Sequence, residues 1–268
     1  MKKSVRYKIE NAISYAEYGD KNGFPILINH GLIASIDDYD LFERLIQLGA
    51  RVICIARPGY GGSSPYQMSS IGEWADLVSV LIDELGLSQF DILGISSGAP
   101  YSYAIAYRFP DKVRNIYIFS GIPALYDEEV ISHWPYEVKR DASLAEMEVV
   151  AHELFFSKLT REDLERNDIR DSLMNHCFGI AQDLSLRCRD WGFRLHDISG
   201  HVYAQHSRDD EAVPFVTALL TSKLLPNCRF DVKDHGEHFS ATALDDFIKA
   251  VIVGNFGDET REDNILSL

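Results

Sequence analysis

Gly94-Ile95-Ser96-Ser97-Gly98 places a serine at the centre of a G-x-S-x-G frame, and only that frame fits. An apolar run at 90–94 precedes it and a helical pattern at 97–109 follows, so Ser96 is expected on a tight strand-to-helix turn. Such a turn strains the central residue, and Gly94 and Gly98 leave room for the neighbouring chain. The new helix also offers free N–H groups where negative charge would develop, among them the backbone N–H of Ser97. A glycine-rich turn without chemistry, or a phosphate loop, is the bland reading. The strand before and the helix after favour a nucleophile.

A serine hydroxyl is a weak nucleophile until a base takes its proton, and that base needs an orienting carboxylate. Ser207-Arg208-Asp209-Asp210-Glu211 follows an apolar strand pattern and offers three acids. Asp210 is preferred, because it lies at the loop bend four residues before Pro214 opens the next helix; Asp209 comes second. Asp234-His235-Gly236-Glu237-His238 follows the next strand pattern and offers two bases. His238, which leads into Phe239-Ser240 and the last helix, is preferred to His235. His176, His196, His201 and His206 have no matching carboxylate pattern and read as structural.

His30-Gly31-Leu32 follows another apolar run. Gly31 would let the backbone approach a substrate oxygen, the Leu32 N–H would be the second donor of an oxyanion hole, and His30 would brace the loop. Gly59-Tyr60-Gly61-Gly62 misses the dinucleotide frame, because its third glycine would fall at Ser64. Cys54, Cys177, Cys188 and Cys228 are scattered, so neither a metal site nor a disulfide framework is expected.

These loops need strands and helices to hold them. Strand patterns lie at 3–9, 12–18, 25–29, 51–55, 90–94, 113–120, 200–206 and 228–233. Helical patterns at 38–48, 71–85 and 97–109 alternate with them, and others start at 213 and 240, the last running to about 255. Continuous apolar strands between amphipathic helices imply a mainly parallel sheet covered on both faces. Active sites of such sheets sit beyond the strands' carboxyl ends, where His30, Arg57, Ser96 and Ser120 all fall. From 123 to 195 the alternation stops, with helical patterns at 144–156, 161–178 and 182–191. That stretch is expected as a helical insertion roofing the site, between core segments 1–122 and 196–268. Trp134, Tyr136, Phe155, Phe156, Phe178 and Trp191 could line a pocket beneath it, but most are expected in the insertion's own core. The tail at 257–268 is expected to fray.

The chain carries 26 basic and 41 acidic residues, a net charge of −15, which argues against a nucleic-acid partner. No apolar run approaches the roughly 18 residues that span a bilayer, and the N-terminus lacks a signal-peptide core. A cytoplasmic protein without a membrane partner is expected, and a homodimer is an assembly the sequence permits.

Taken in order, His30-Gly31, Arg57-Pro58-Gly59-Tyr60-Gly61-Gly62-Ser63, Gly94-Ile95-Ser96-Ser97-Gly98, Asp210 before Val213-Pro214, and His238-Phe239 resemble the α/β-hydrolase superfamily over essentially the whole chain. Trp191-Gly192-Phe193 and Asp197-Ile198 resemble the cap-to-core junction of some members. The resemblance implies an eight-stranded, mostly parallel sheet with a helical cap after strand six. It also implies acyl transfer to water without a cofactor. Serine at position 96 argues against the dehalogenase and epoxide-hydrolase branches, whose nucleophile is aspartate, and His30-Gly31-Leu32-Ile33-Ala34 lacks the Gly-Gly-Pro-Gly of proline iminopeptidases. Glu237 between Gly236 and His238, and Ser207 where glycine is common, depart from the usual pattern. The expected function is hydrolysis of a small carboxylic ester or related acyl substrate. A carbon–carbon hydrolase, a cofactor-free perhydrolase and a non-catalytic ligand sensor are the alternatives.

Overall fold

In the computed structural model, which describes residues 2–7 and 10–252, eight strands form one sheet. They are β1 (Lys2–Tyr7), β2 (Asn11–Gly19), β3 (Pro25–Asn29), β4 (Arg51–Ile55), β5 (Phe90–Ile95), β6 (Val113–Phe119), β7 (His201–Ser207) and β8 (Cys228–Lys233). Their spatial order is β1-β2-β4-β3-β5-β6-β7-β8. β2 runs antiparallel to β1 and β4, and every later pairing is parallel. The helices are α1 (Glu43–Gln47), α2 (Glu73–Glu84), α3 (Ala99–Arg108), α4 (Glu128–Ser132), α5 (Leu144–Phe155), α6 (Asn167–Leu186), α7 (Phe215–Lys223) and α8 (Ala241–Phe247). The eight-stranded, mostly parallel sheet matches the expectation.

The strands are apolar on both sides because both faces are covered. Side chains alternate across a strand, so Leu27, Ile53 and Ile92 join Trp74, Leu81 and Ile105 under α2 and α3. Ile26, Ile28, Val52 and Leu93 point the other way, to Leu45 of α1 and Phe247 of α8. The chain leaves β3 for its neighbour β4 and returns to pair β5 with β3, Ile28 opposite Leu93. The loops after β3 and β5 therefore leave adjacent strand ends, one carrying His30 and the other Ser96, and a crevice at such a reversal is where open α/β sheets bind ligands.

Several elements differ from the sequence reading. The helix expected at 38–48 is a 3₁₀ turn (Tyr39–Phe42) followed by α1. The short α4 was not expected; Asp127 caps it by accepting from the Glu129 and Val130 N–H groups. α6 runs through the gap expected at 179–181 and stops at Leu186 instead of 191. It is interrupted earlier, where Asn175, His176 and Cys177 all adopt left-handed backbone. Nothing in the local pattern marks that break, because none of the three residues is glycine. The end of the first expected strand at 8–9, the last helix beyond 252 and the tail at 257–268 lie outside the described residues.

Candidate active site

Ser96 follows the last residue of β5 and has φ of +50°. A side chain rarely adopts that conformation, and it persists only where the surroundings impose it. Those surroundings are close: a Cβ on Gly98 would lie 2.0 Å from the Asn29 carbonyl oxygen, and one on Gly94 2.5 Å from Ser102 Oγ. Asn29 Nδ2 donates to Ser102 Oγ at 3.0 Å, and Trp74 Nε1 donates to Asn29 Oδ1 at 3.0 Å. This buried chain, which the sequence reading missed, ties the end of β3 to α2 and α3.

The structure brings Ser96, His238 and Asp210 into one line. Ser96 Oγ is 2.8 Å from His238 Nε2, and His238 Nδ1 is 2.8 Å from Asp210 Oδ2. Asp210 is buried, and its Oδ1 accepts from the Ala212 and Val213 N–H groups, both at 2.9 Å. Burial alone would raise its pKa. The hydrogen bond and charge of His238, the Val213 N–H and the nearby His206 outweigh burial and hold the carboxyl below its usual range.

The two alternative candidates pair with each other instead. His235 Nδ1 is 3.1 Å from Asp209 Oδ2, and the Gly236 N–H donates to Asp209 Oδ1 at 2.8 Å. This pair is exposed, with the His235 side chain 90% accessible. His206 also matters more than the sequence suggested. Its Nε2 lies 2.9 Å from the Val213 carbonyl, to which it donates, and 3.3 Å from Asp210 Oδ2.

His30 accepts at Nε2 from the Arg57 N–H, so its proton sits on Nδ1 and is donated to the Gly31 carbonyl at 2.7 Å. Burial and then the Arg57 charge push its pKa well below the histidine range. Its two hydrogen bonds join the loop after β3 to the backbone at Arg57. The Gly31 carbonyl also accepts from Arg57 Nη2 at 2.8 Å, and in a trans peptide the next N–H, that of Leu32, points the opposite way. Leu32 and Ser97 both line the cavity at Ser96, and a Cβ on Gly31 would stand 3.9 Å from the Ser96 Cβ.

Arg57 is fully buried and reaches out of the core to α6, where its Nη2 meets Asp183 Oδ2 at 2.6 Å. Tyr60 and Tyr101 hydroxyls donate to the same carboxylate at 2.9 and 2.6 Å. Asp183 was not singled out in the sequence; it stands in a helix whose neighbours give no sign of an arginine 126 positions away.

The cavity over Ser96 encloses about 1290 Å³. Trp134, Tyr136 and Phe155 line it, whereas Phe156, Phe178 and Trp191 are buried and do not. The six aromatics thus divide evenly between pocket and packing. Asp37, Asp38, Asp40, Glu137, Glu153 and Asp168 also line it. Among the described residues, no helix is long and apolar enough to cross a membrane.

The α/β hydrolase fold family matches residues 25–241. An uncharacterized hydrolase of Bacillus subtilis, YcgS, is 28% identical over 100 residues, 37% of this chain and 35% of that protein, so the likeness spans about a third of it. A 2-hydroxy-6-oxononadienedioate/2-hydroxy-6-oxononatrienedioate hydrolase of Paraburkholderia phymatum is 25% identical over 234 residues, covering 77% of this chain and 80% of its own. Among solved structures, an esterase from Exiguobacterium antarcticum superposes with a TM-score of 0.72 at 19% identity, covering 93% of this chain and 100% of its own, a likeness of fold alone. With sheet order, strand-end site and family match in agreement, the chain belongs to the α/β hydrolase fold family.

Proposed function

We propose that the protein is a serine hydrolase of carboxylic esters or related acyl compounds, with Ser96 as nucleophile, His238 as base and then acid, and Asp210 as the orienting carboxylate. The observation that carries this reading is the unbroken relay from Ser96 Oγ to His238 to Asp210, with both contacts at 2.8 Å. Ser96 Oγ bonds to the carbonyl carbon while its proton passes to His238 Nε2. The oxyanion is held by the Leu32 and Ser97 N–H groups, each such donor contributing about 3 kcal/mol in the transition state. The tetrahedral species expels the alcohol, which takes the proton from His238. Water then attacks the acyl-enzyme, giving its proton to His238, and the acid leaves as Ser96 recovers its hydrogen. Asp210 keeps the proton of neutral His238 on Nδ1, leaving Nε2 free to act.

Residues 123–195 serve in this reading as a cap: Trp134 and Leu184 face the same cavity as His30 and Ser96 of the core. A cavity of about 1290 Å³ leaves room for a substrate larger than a short acetate ester. The four free thiols suit a reducing compartment, and the cytoplasm is assigned on that ground. The net charge of −15 supports a small-molecule substrate over a nucleic acid.

A carbon–carbon hydrolase using the same relay is the second reading, favoured by the names of relatives such as the Paraburkholderia phymatum protein. Turnover of 4-nitrophenyl esters of graded acyl length, with Ser96→Ala alongside, tests the first. The parent is expected to accumulate an acyl adduct on Ser96, and the variant to lose at least about 10³-fold in kcat. Equal rates would end the proposal. Slow ester turnover beside rapid cleavage of a diketone would move it to the second reading.

A further inference from the structure

Among the described residues, three cations line the cavity: Lys139, Arg166 and Arg187. Two of them have carboxylate partners, Lys139 at 3.6 Å from Glu137 and Arg166 at 2.5 Å from Asp168. Arg187 has none among the described residues. Its Nε is buried without a hydrogen-bond partner; its guanidinium meets the Cys188 thiol and, at 5.3 Å from the centroid, the ring of Trp134, and feels the charge of Asp183 and the hydroxyl of Tyr136 without an ion pair to either. Asp183, one turn earlier, is already taken by Arg57, Tyr60 and Tyr101. Burial accordingly pulls the Arg187 pKa below the arginine range.

The surroundings add positive charge. Arg140 Nε donates to the Cys188 carbonyl at 2.9 Å, and Arg189 Nη2 to the Ala142 carbonyl at 3.2 Å; neither has a carboxylate partner among the described residues. A chain with 41 acidic and 26 basic residues has carboxylates to spare, so the lack of an ion pair at Arg187 is not a shortage of acid. A guanidinium nitrogen buried without a partner is costly, and one explanation for retaining it is an anionic ligand that completes it.

The position fits. Cys188 and Trp134 pack with Ile122 and Val213. The Ile122 N–H donates to the Ser96 carbonyl at 3.0 Å, and the Val213 N–H to Asp210. Arg187 thus stands on the wall that adjoins the relay; the acids that line the cavity are Asp37, Asp38, Asp40, Asp168, Glu153 and Glu137, the last paired with Lys139. Among these charges Arg187 is the cation without an ion-paired carboxylate among the described residues, and so the one that attracts an anionic group most. We propose that Arg187 is the receptor for a substrate carboxylate, so that the preferred substrate carries a carboxylate apart from the carbonyl that Ser96 attacks. This rests on the serine-hydrolase reading for the reaction, but not for the binding.

The test uses Ser96→Ala protein and calorimetry with monomethyl adipate and with its neutral counterpart, dimethyl adipate. The anion is expected to bind at least about ten-fold more tightly, the scale of a hydrogen bond to a charged group. Adding Arg187→Met, which keeps an apolar stem against Trp134, is expected to bring the two ligands within about three-fold. Arg187→Lys is expected to keep part of the preference, having the charge without the planar fork. Unfolding midpoints and unchanged dimethyl adipate binding control for folding, and Arg187→Gln replaces the methionine variant if that one fails to fold. No preference in the Arg187 protein, binding of neither ester, or a preference that survives Arg187→Met or Arg187→Gln overturns the proposal. Should the preference hold while Ser96 proves inert toward esters, the receptor stands and the hydrolase reading falls.

Discussion

At the level of single residues, the relay was legible where its signal is local. The G-x-S-x-G frame with a strand before and a helix after pointed to Ser96, because the strained turn and the two glycines it needs lie within five positions, even though what they approach, Asn29 and Ser102, lies outside them. The choice between Asp209 and Asp210, or His235 and His238, is not local. It depends on which side chains the two loops turn inward, and the fold turns Asp210 and His238 in and pairs Asp209 with His235 outside. If Asp210 orients His238, Asp210→Asn is expected to lower kcat by about 10³–10⁴-fold with little change in KM. Asp209→Asn should leave steady-state kinetics within about two-fold. A second residue-scale expectation concerns Asp38, half-buried on the acidic wall. Burial first, with help from Asp168, Asp171 and Asp37, pushes its carboxyl up to about 6. The fold therefore binds its proton more tightly than the unfolded chain does. That contribution is fully present below about pH 4 and is lost as pH rises through about 6. Asp38→Asn can still accept the Ser35 N–H at this site. It should stabilise the protein at pH 8 by roughly 1 kcal/mol at most, given solvent screening, and leave it unchanged at pH 4. Urea titrations at the two pH values would check the sign.

Elements were legible as strands and helices, and less so where tertiary contacts overrule local pattern. The alternation of apolar faces in β3, β4 and β5 is a period-two signal that survives in one dimension. The break in α6 and the Arg57–Asp183 pair are not, since each depends on how α6 meets the loop after β4. Gly98→Ala tests the closeness of β3 and the serine turn: a Cβ 2.0 Å from a backbone oxygen must displace one of them. A loss of about 3 kcal/mol or more, with a matching loss of activity, is expected in denaturant unfolding. Asp183→Leu leaves the Arg57 guanidinium buried and unpaired and is expected to cost roughly 3–5 kcal/mol. Arg57→Met added to it should cost less than the sum of the two single changes, which a double-mutant cycle would measure. Additive losses would mean that the pair does not couple α6 to the loop at His30.

Over the whole molecule, length, composition and strand–helix alternation sufficed for the sheet and its class, because a sheet covered on both faces can be built in few ways. They could not reach the substrate. That depends on which side chains of residues 123–195 face the cavity, and the aromatics expected mostly in packing divide between the two. The central claim is that this fold activates Ser96 through His238 and not through its neighbour in the same loop. The most direct measurement is the rate at which a fluorophosphonate probe modifies the protein, with the adduct located by mass spectrometry in the parent, His238→Ala and His235→Ala. A single adduct on Ser96 is expected in the parent, slowed by at least about 10³-fold in His238→Ala and nearly unchanged in His235→Ala. Labelling that persists in His238→Ala but fails in His235→Ala would contradict the account, as would a parent protein that the probe leaves unmodified.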